Sequence, residues 1–219
     1  MGDIFREVDE ELKQERYEKL WRTYGRYLIG LAIVLVSVVA GWKIWQNHQL
    51  NQRIAEGEKF YKAVDFLAAK KTADASQTFS ELGEQASSGY GFLARFYEAA
   101  GLSKSGLGME AIKVYDAIAR EASVPDSMRD LATILGALNA LKISTISSAV
   151  IINQIQKLSG PGKPYRHIAL EIQALCAQKD GNIQGAQDRY REIADDPKAP
   201  NGIRSRAAQM LEILGEATR

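Results

Sequence analysis

Hydrophobic and polar positions divide the chain into two unlike parts. From Tyr27 to Trp45 the sequence reads YLIGLAIVLVSVVAGWKIW, 19 residues in which Lys43 is the only charge. A helix of that length rises roughly 28 Å, close to the hydrocarbon thickness of a bilayer. It satisfies its own backbone hydrogen bonds and can therefore cross hydrocarbon alone. Tyr27, Trp42 and Trp45 stand at the two ends, where amphipathic rings favour the headgroup level, and Lys43 lies within a turn of water. The pattern predicts a transmembrane helix anchored by these four residues.

Beyond the run, apolar residues recur at helical spacing between short Gly, Ser and Pro breaks, and nothing alternates with period two. Helices are predicted near 75–86, 90–102, 109–122, 126–142, 147–158, 165–179, 183–194 and 201–216. Between Ile44 and Ala69 there is no proline and only Gly57, so the span is expected to continue as a helical stalk. Ahead of the span, residues 3–26 carry seven acidic and six basic side chains, with Ile4, Val8 and Leu12 four apart. They predict a short amphipathic helix, either a solvated lead-in or a partner-binding face. The predicted organisation is a charged segment 1–26, a span 27–45 and a helical domain 46–219.

A period emerges when the helices are aligned. Ala75, Ala111, Ala149 and Ala186 are 36, 38 and 37 residues apart, and each has an alanine 12 residues earlier: Ala63, Ala99, Ala137 and Ala174. Four residues after the later alanine come Phe79, Tyr115, Asn153 and Tyr190, and three further on come Leu82, Ile118, Gln156 and Ile193. Two helices joined by a tight turn need small residues where their axes approach and a bulky one a turn later. Helix–turn–helix repeats of about 34 residues place small side chains in this way. Asn153 and Gln156 are polar where the pattern expects core residues.

The chain thus resembles tetratricopeptide repeats, which implies an all-α fold: a right-handed solenoid of about four degenerate hairpins plus a closing helix at 201–216, behind the transmembrane helix. With the juxtamembrane EKLWRTYGRYL (Leu20, Trp21, Tyr24 and Gly25 within it), the architecture is similar to the bacterial ancillary Sec-translocon subunit family. That resemblance implies an inner-membrane protein with a periplasmic domain that handles exported polypeptides. It implies no catalytic residue.

Charge refines the picture in one respect. Lys and Arg number five within about 20 residues before the span and four after it, which predicts a cytoplasmic N-terminus and a translocated C-terminal domain. The leading region is too long and too acidic for a cleavable signal. Val38-Val39-Ala40 before Gly41 resembles a cleavage site, but the apolar run continues through Trp45, so an uncleaved signal anchor is expected. Net charge is +1, which advertises no nucleic-acid surface. Cys176 is the one cysteine and has no internal disulfide partner; its count is compatible with either redox compartment.

Candidate chemistry is sparse, and neither a cofactor, a metal nor a small-molecule substrate is expected. Gly106-Leu107-Gly108-Met109-Glu110-Ala111 matches a dinucleotide fingerprint, but it follows a helix rather than a strand, so a turn between paired helices is the better reading. Gly160-Pro161-Gly162-Lys163 has Pro164 where a phosphate loop needs Ser or Thr. His48 and His167 have no second His or Cys at ligand spacing. A non-enzymatic interaction module is expected. Aromatic pairs at Phe60-Tyr61 and Phe96-Tyr97, 36 apart, with Phe92 one turn before the second, form the candidate partner surface. These rings either line a groove or pack between helices. The partners are translocon subunits and exported polypeptides or, alternatively, a fixed partner in envelope assembly or division.

Overall fold

The computed structural model describes residues 3–86 and 89–216, and the described residues contain no strand. The chain divides into two units, Met1–Ile54 and Ala55–Arg219. A single helix, α1 (Asp3–Ala68), runs through the first unit and supplies the first helix of the second. The stalk predicted to continue the apolar run does so, and the lead helix predicted as a separate short element belongs to the same helix. Within the first unit the apolar side chains of the run stand exposed, with Leu28, Val36 and Val39 among them. By length and composition this helix can cross a membrane, and none of its most apolar stretch is buried by the rest of the chain.

The second unit is a row of helical hairpins. The end of α1 pairs with α2 (Thr72–Gln85), α3 (Gly89–Lys104) with α4 (Gly108–Arg120), and α5 (Asp126–Leu141) with α6 (Ser148–Ile155), which a 3₁₀ turn over Gln156–Leu158 prolongs. Then α7 (Arg166–Lys179) pairs with α8 (Ile183–Ala194), and α9 (Asn201–Glu216) closes the row. Each core cluster joins one hairpin to the first helix of the next. Ala63, Ala75, Phe79 and Leu82 meet Ala94 of α3; Ala99, Ala111, Tyr115 and Ile118 meet Ala132 of α5. Ile134, Ala137, Ile151 and Ile155 meet Ala169 and Ile172 of α7; Ala174, Ala186, Tyr190 and Ile193 meet Ala207 of α9. This nearest-neighbour burial is what makes a solenoid.

Three hairpins turn in the same way. Residues 69–71, 105–107 and 180–182 each close with the sixth amide bonded back to the first carbonyl: Lys71 to Phe66 at 2.8 Å, Leu107 to Leu102 at 2.9 Å, and Asn182 to Ala177 at 2.8 Å. Such a turn needs a left-handed residue just past the helix, which Gly106 (φ 82°) and Gly181 (φ 75°) supply without a Cβ penalty. The first turn uses Lys70 there, at φ 59°, a conformation that costs a side-chain-bearing residue roughly 1 kcal/mol or more.

The third hairpin departs from the expected register. Its turn is six residues, 142–147, and among the described residues it contains no left-handed backbone. The second helix enters one residue earlier in phase, which rotates its faces by roughly 100°. Ser148, not Ala149, occupies the small inward position, and Ile151, Ile155 and Leu158 fill the core. Ala149, Asn153 and Gln156 are exposed, so the polar core predicted for this repeat does not exist. The seventh helix holds the irregular turn in place. Lys179 Nζ donates to the carbonyls of Ile143 (3.1 Å) and Ile146 (2.9 Å), and Ser148 Oγ donates to Asp180 Oδ1 at 2.7 Å.

A second ladder of small residues accompanies the first. Ala94, Ala132, Ala169 and Ala207 are 38, 37 and 38 apart and are almost wholly buried, each where its helix leans on the preceding hairpin. In α1 the corresponding residue is Glu58, exposed, because no hairpin precedes it. The ladder identifies α9 as a fifth first-type helix.

Two substitutions test this packing by chemical denaturation of the full chain. Ala132→Leu drives three extra heavy atoms into a closed contact and is expected to cost about 1–3 kcal/mol, whereas Ala149→Leu is expected to change stability by less than about 0.5 kcal/mol. Equal costs would contradict the shifted register. Lys70→Gly is expected to raise stability by about 0.5–1 kcal/mol by removing the left-handed penalty.

Candidate protein-binding surface

The first two hairpins carry an aromatic network that grows out of the repeat. Phe60 of α1 lies against Phe79 of α2, with ring centroids 5.5 Å apart, and Phe96 of α3 lies against Tyr115 of α4 at 6.0 Å, the same contact one repeat later. Phe60 also meets Tyr97 edge-on at 5.3 Å and Tyr90 at 5.7 Å, while Phe79 stacks on Tyr97 at 5.0 Å. Edge-to-face and offset arrangements of this kind add to the area the rings bury. Gly57 of α1 makes room for the network: a Cβ there would sit 3.2 Å from the Tyr90 ring.

The five aromatic residues singled out in the sequence have different fates. Phe60, Phe92 and Phe96 are partly buried and pack against the cores. Tyr61 and Tyr97 keep 67% and 42% of their surface exposed, so only these two present large aromatic area to a partner. Tyr97 faces an open groove of about 330 Å³ whose walls include Leu67, Phe79, Leu102 and Leu107. Thr72, Ser76 and Ser105 add hydroxyl groups to it. An apolar groove of this size, with a few polar groups, suits the anchoring side chains of a bound polypeptide. Leu67 and Leu107 escape a reading of the sequence because one ends a helix and the other lies in a turn, outside any amphipathic stripe.

The four residues predicted as an anchor sit on the first unit. Tyr27, Trp42 and Trp45 are each more than half exposed, Arg26 lies over the Tyr27 ring at 4.8 Å, and the rings of Trp42 and Trp45 meet at 5.5 Å. Lys43 is exposed beside them.

Electrostatics elsewhere serve the stack. Arg166 and His167 open α7 and reach the far end of α8: Arg166 contacts Asp196 Oδ2 at 2.6 Å and Glu192 Oε1 at 2.7 Å, and His167 Nε2 lies 2.9 Å from Asp196 Oδ2. The hydrogen bond from His167, helped by the Lys198 amide, holds the Asp196 carboxyl below its ordinary range. Burial, and then the charge of Glu171, pushes the Tyr190 phenol up to about 12, and its hydroxyl donates to Gln178 Oε1 at 2.9 Å. Burial likewise raises the Cys176 thiol, which makes it a poor nucleophile. His48 contacts Gln52 at 3.2 Å, and the described residues hold no group of three or more His, Cys, Asp or Glu able to bind a metal. Gly106 belongs to the left-handed turn between α3 and α4, not to a strand-to-helix phosphate cradle.

The network makes a prediction that separates packing from surface roles. Phe60→Ala is expected to cost about 3 kcal/mol of stability in urea unfolding, because Phe79, Tyr90 and Tyr97 lose their common neighbour, while Tyr61→Ala is expected to stay within about 0.5 kcal/mol.

Comparison with known families agrees with this geometry. The tetratricopeptide repeat-like domain model matches residues 18–191, from within α1 into α8. Curated proteins give no match. Hairpins in a row, small residues at each crossing and a matched span covering most of the chain lead to one assignment: the chain belongs to the tetratricopeptide repeat-like domain family.

Proposed function

We propose that the protein is a membrane-tethered interaction module that receives extended polypeptide beside the Sec translocon, with its repeat domain in the bacterial periplasm. The observation that carries this reading is the pairing of an unburied apolar helix with a tetratricopeptide repeat-like domain whose groove presents Tyr97, Leu67 and Leu107. Repeat domains of this kind act by holding other proteins. Tyr61 and Tyr97 supply apolar area at little side-chain entropy cost, which suits clients of varied sequence. No chemical step is assigned to the chain, and its role ends at binding.

The orientation follows the excess of Lys and Arg before the span. A cytoplasmic N-terminus places the repeat domain where exported chains emerge. The similarity of the EKLWRTYGRYL segment to ancillary translocon subunits points the same way.

Photo-crosslinking from position 97 in intact cells tests the proposal. Translocon subunits and many unrelated exported proteins are expected among the adducts. A single recurrent envelope protein would instead make the molecule a scaffold. A reporter active only in the periplasm, fused after Arg219, is expected to be active. Activity of a cytoplasm-only reporter there would overturn the orientation.

A further inference from the structure

The rear end of the apolar run has a composition that a bare membrane crossing does not require. From Lys19 to Ala55 the chain contains no Asp or Glu, and its Lys and Arg residues are 19, 22, 26, 43 and 53. Acidic residues crowd in on either side, ending at Glu18 and resuming at Glu56. Within this window one face of α1 gathers Trp42, Trp45, Gln46, Gln49 and Arg53, at spacings of three, four, seven and eleven. These side chains, with Lys43, line an open hollow of about 400 Å³.

We propose that this face is a site for the headgroup of an anionic phospholipid. The inference rests on the reading that α1 crosses the bilayer. Trp42 and Trp45 would lie at the acyl–headgroup boundary, where indole rings bury an apolar body and keep a polar N–H near water. Arg53 starts about 12 Å further along the helix axis than Trp45. Side chains on a helix lean toward its N-terminus, so the Arg53 guanidinium reaches back over Gln49 toward the rings and toward the membrane. A guanidinium offers a phosphate paired donors, Lys43 adds a second cation, and Gln46 and Gln49 can donate amide hydrogens to the remaining oxygens. No carboxylate lies within the window, and Glu56, at its edge, stands on the side of Arg53 away from the rings. An anionic lipid satisfies that charge; a zwitterionic one brings its own ammonium or choline and gains less.

The test uses the full chain with Trp21→Phe, so that Trp42 and Trp45 are the only indoles. It is reconstituted into phosphatidylcholine bilayers that contain either phosphatidylglycerol or phosphatidylcholine brominated near the headgroup. Bromine quenches indole fluorescence only on contact. Each cation close to the surface is worth about fivefold in lipid preference, so with two the brominated anionic lipid is expected to half-quench at about one-fifth or less of the mole fraction of its neutral counterpart. Lys43→Gln with Arg53→Gln is expected to bring the two lipids level, and both residues are exposed, so the fold tolerates the change. Equal quenching by both lipids in the parent chain would overturn the site and leave the span standing. A preference that survives the double substitution would also overturn it. Quenching by neither lipid would remove the span, and the site with it.

Discussion

Close approach between helices is the constraint on which the repeat domain depends. Two helices can cross at about 8–10 Å only where side chains at the contact are small. Here that condition is met twice in each repeat. Ala63, Ala99, Ala137 and Ala174 let a hairpin close on itself, and Ala94, Ala132, Ala169 and Ala207 let the next hairpin settle on it. With the axes drawn together, a ring or branched chain one turn away fills the remaining wedge, as Phe79, Tyr115, Ile155 and Tyr190 do. The cores are local, and each depends on its neighbours rather than on a common centre.

Polar contacts are placed where that scheme is irregular. The six-residue turn of the third hairpin has no Schellman-type closure, and its carbonyls at 143 and 146 are taken up by Lys179. Ser148 stands at a small-residue position and its hydroxyl finds Asp180, so the deviation leaves that group satisfied. At the other edge Arg166, His167, Glu192 and Asp196 tie the start of α7 to the end of α8. Glu171 and Arg206, bonded at 2.7 Å, join α7 to the closing helix. The second hairpin has a comparable tie, Arg95 to Glu121 at 2.6 Å, and rings join the first two hairpins to each other.

The first unit has a different composition. The apolar side chains from Tyr27 to Trp45 stand exposed, and the rest of the chain does not bury them. Their length and composition are those of a helix able to cross a bilayer, which accepts Leu, Ile and Val over the full circumference. The same helix also supplies Ala63 to the first hairpin, so the repeat row begins on a residue of the apolar helix's own continuation.

Composition and local spacing sufficed for the apolar run, the absence of strands among the described residues and nearly every helix boundary in the repeat row, because these depend on what a segment is and not on what it faces. Three of the four alanine pairs were legible for the same reason: their turns are three residues long and keep the phase. The third was not. A longer turn rotated α6, so Ser148 went inward and Ala149 outward, and only the opposing helix α7 settles which of two adjacent small residues is covered. The second alanine ladder has a period visible in the sequence, yet its purpose appears only when each hairpin meets the next. The aromatic residues divide in the same way, Phe60 inward and Tyr61 outward on neighbouring positions of one helix. Sequence sets the period of a helix face; the neighbour packed against it decides which side chains that face buries.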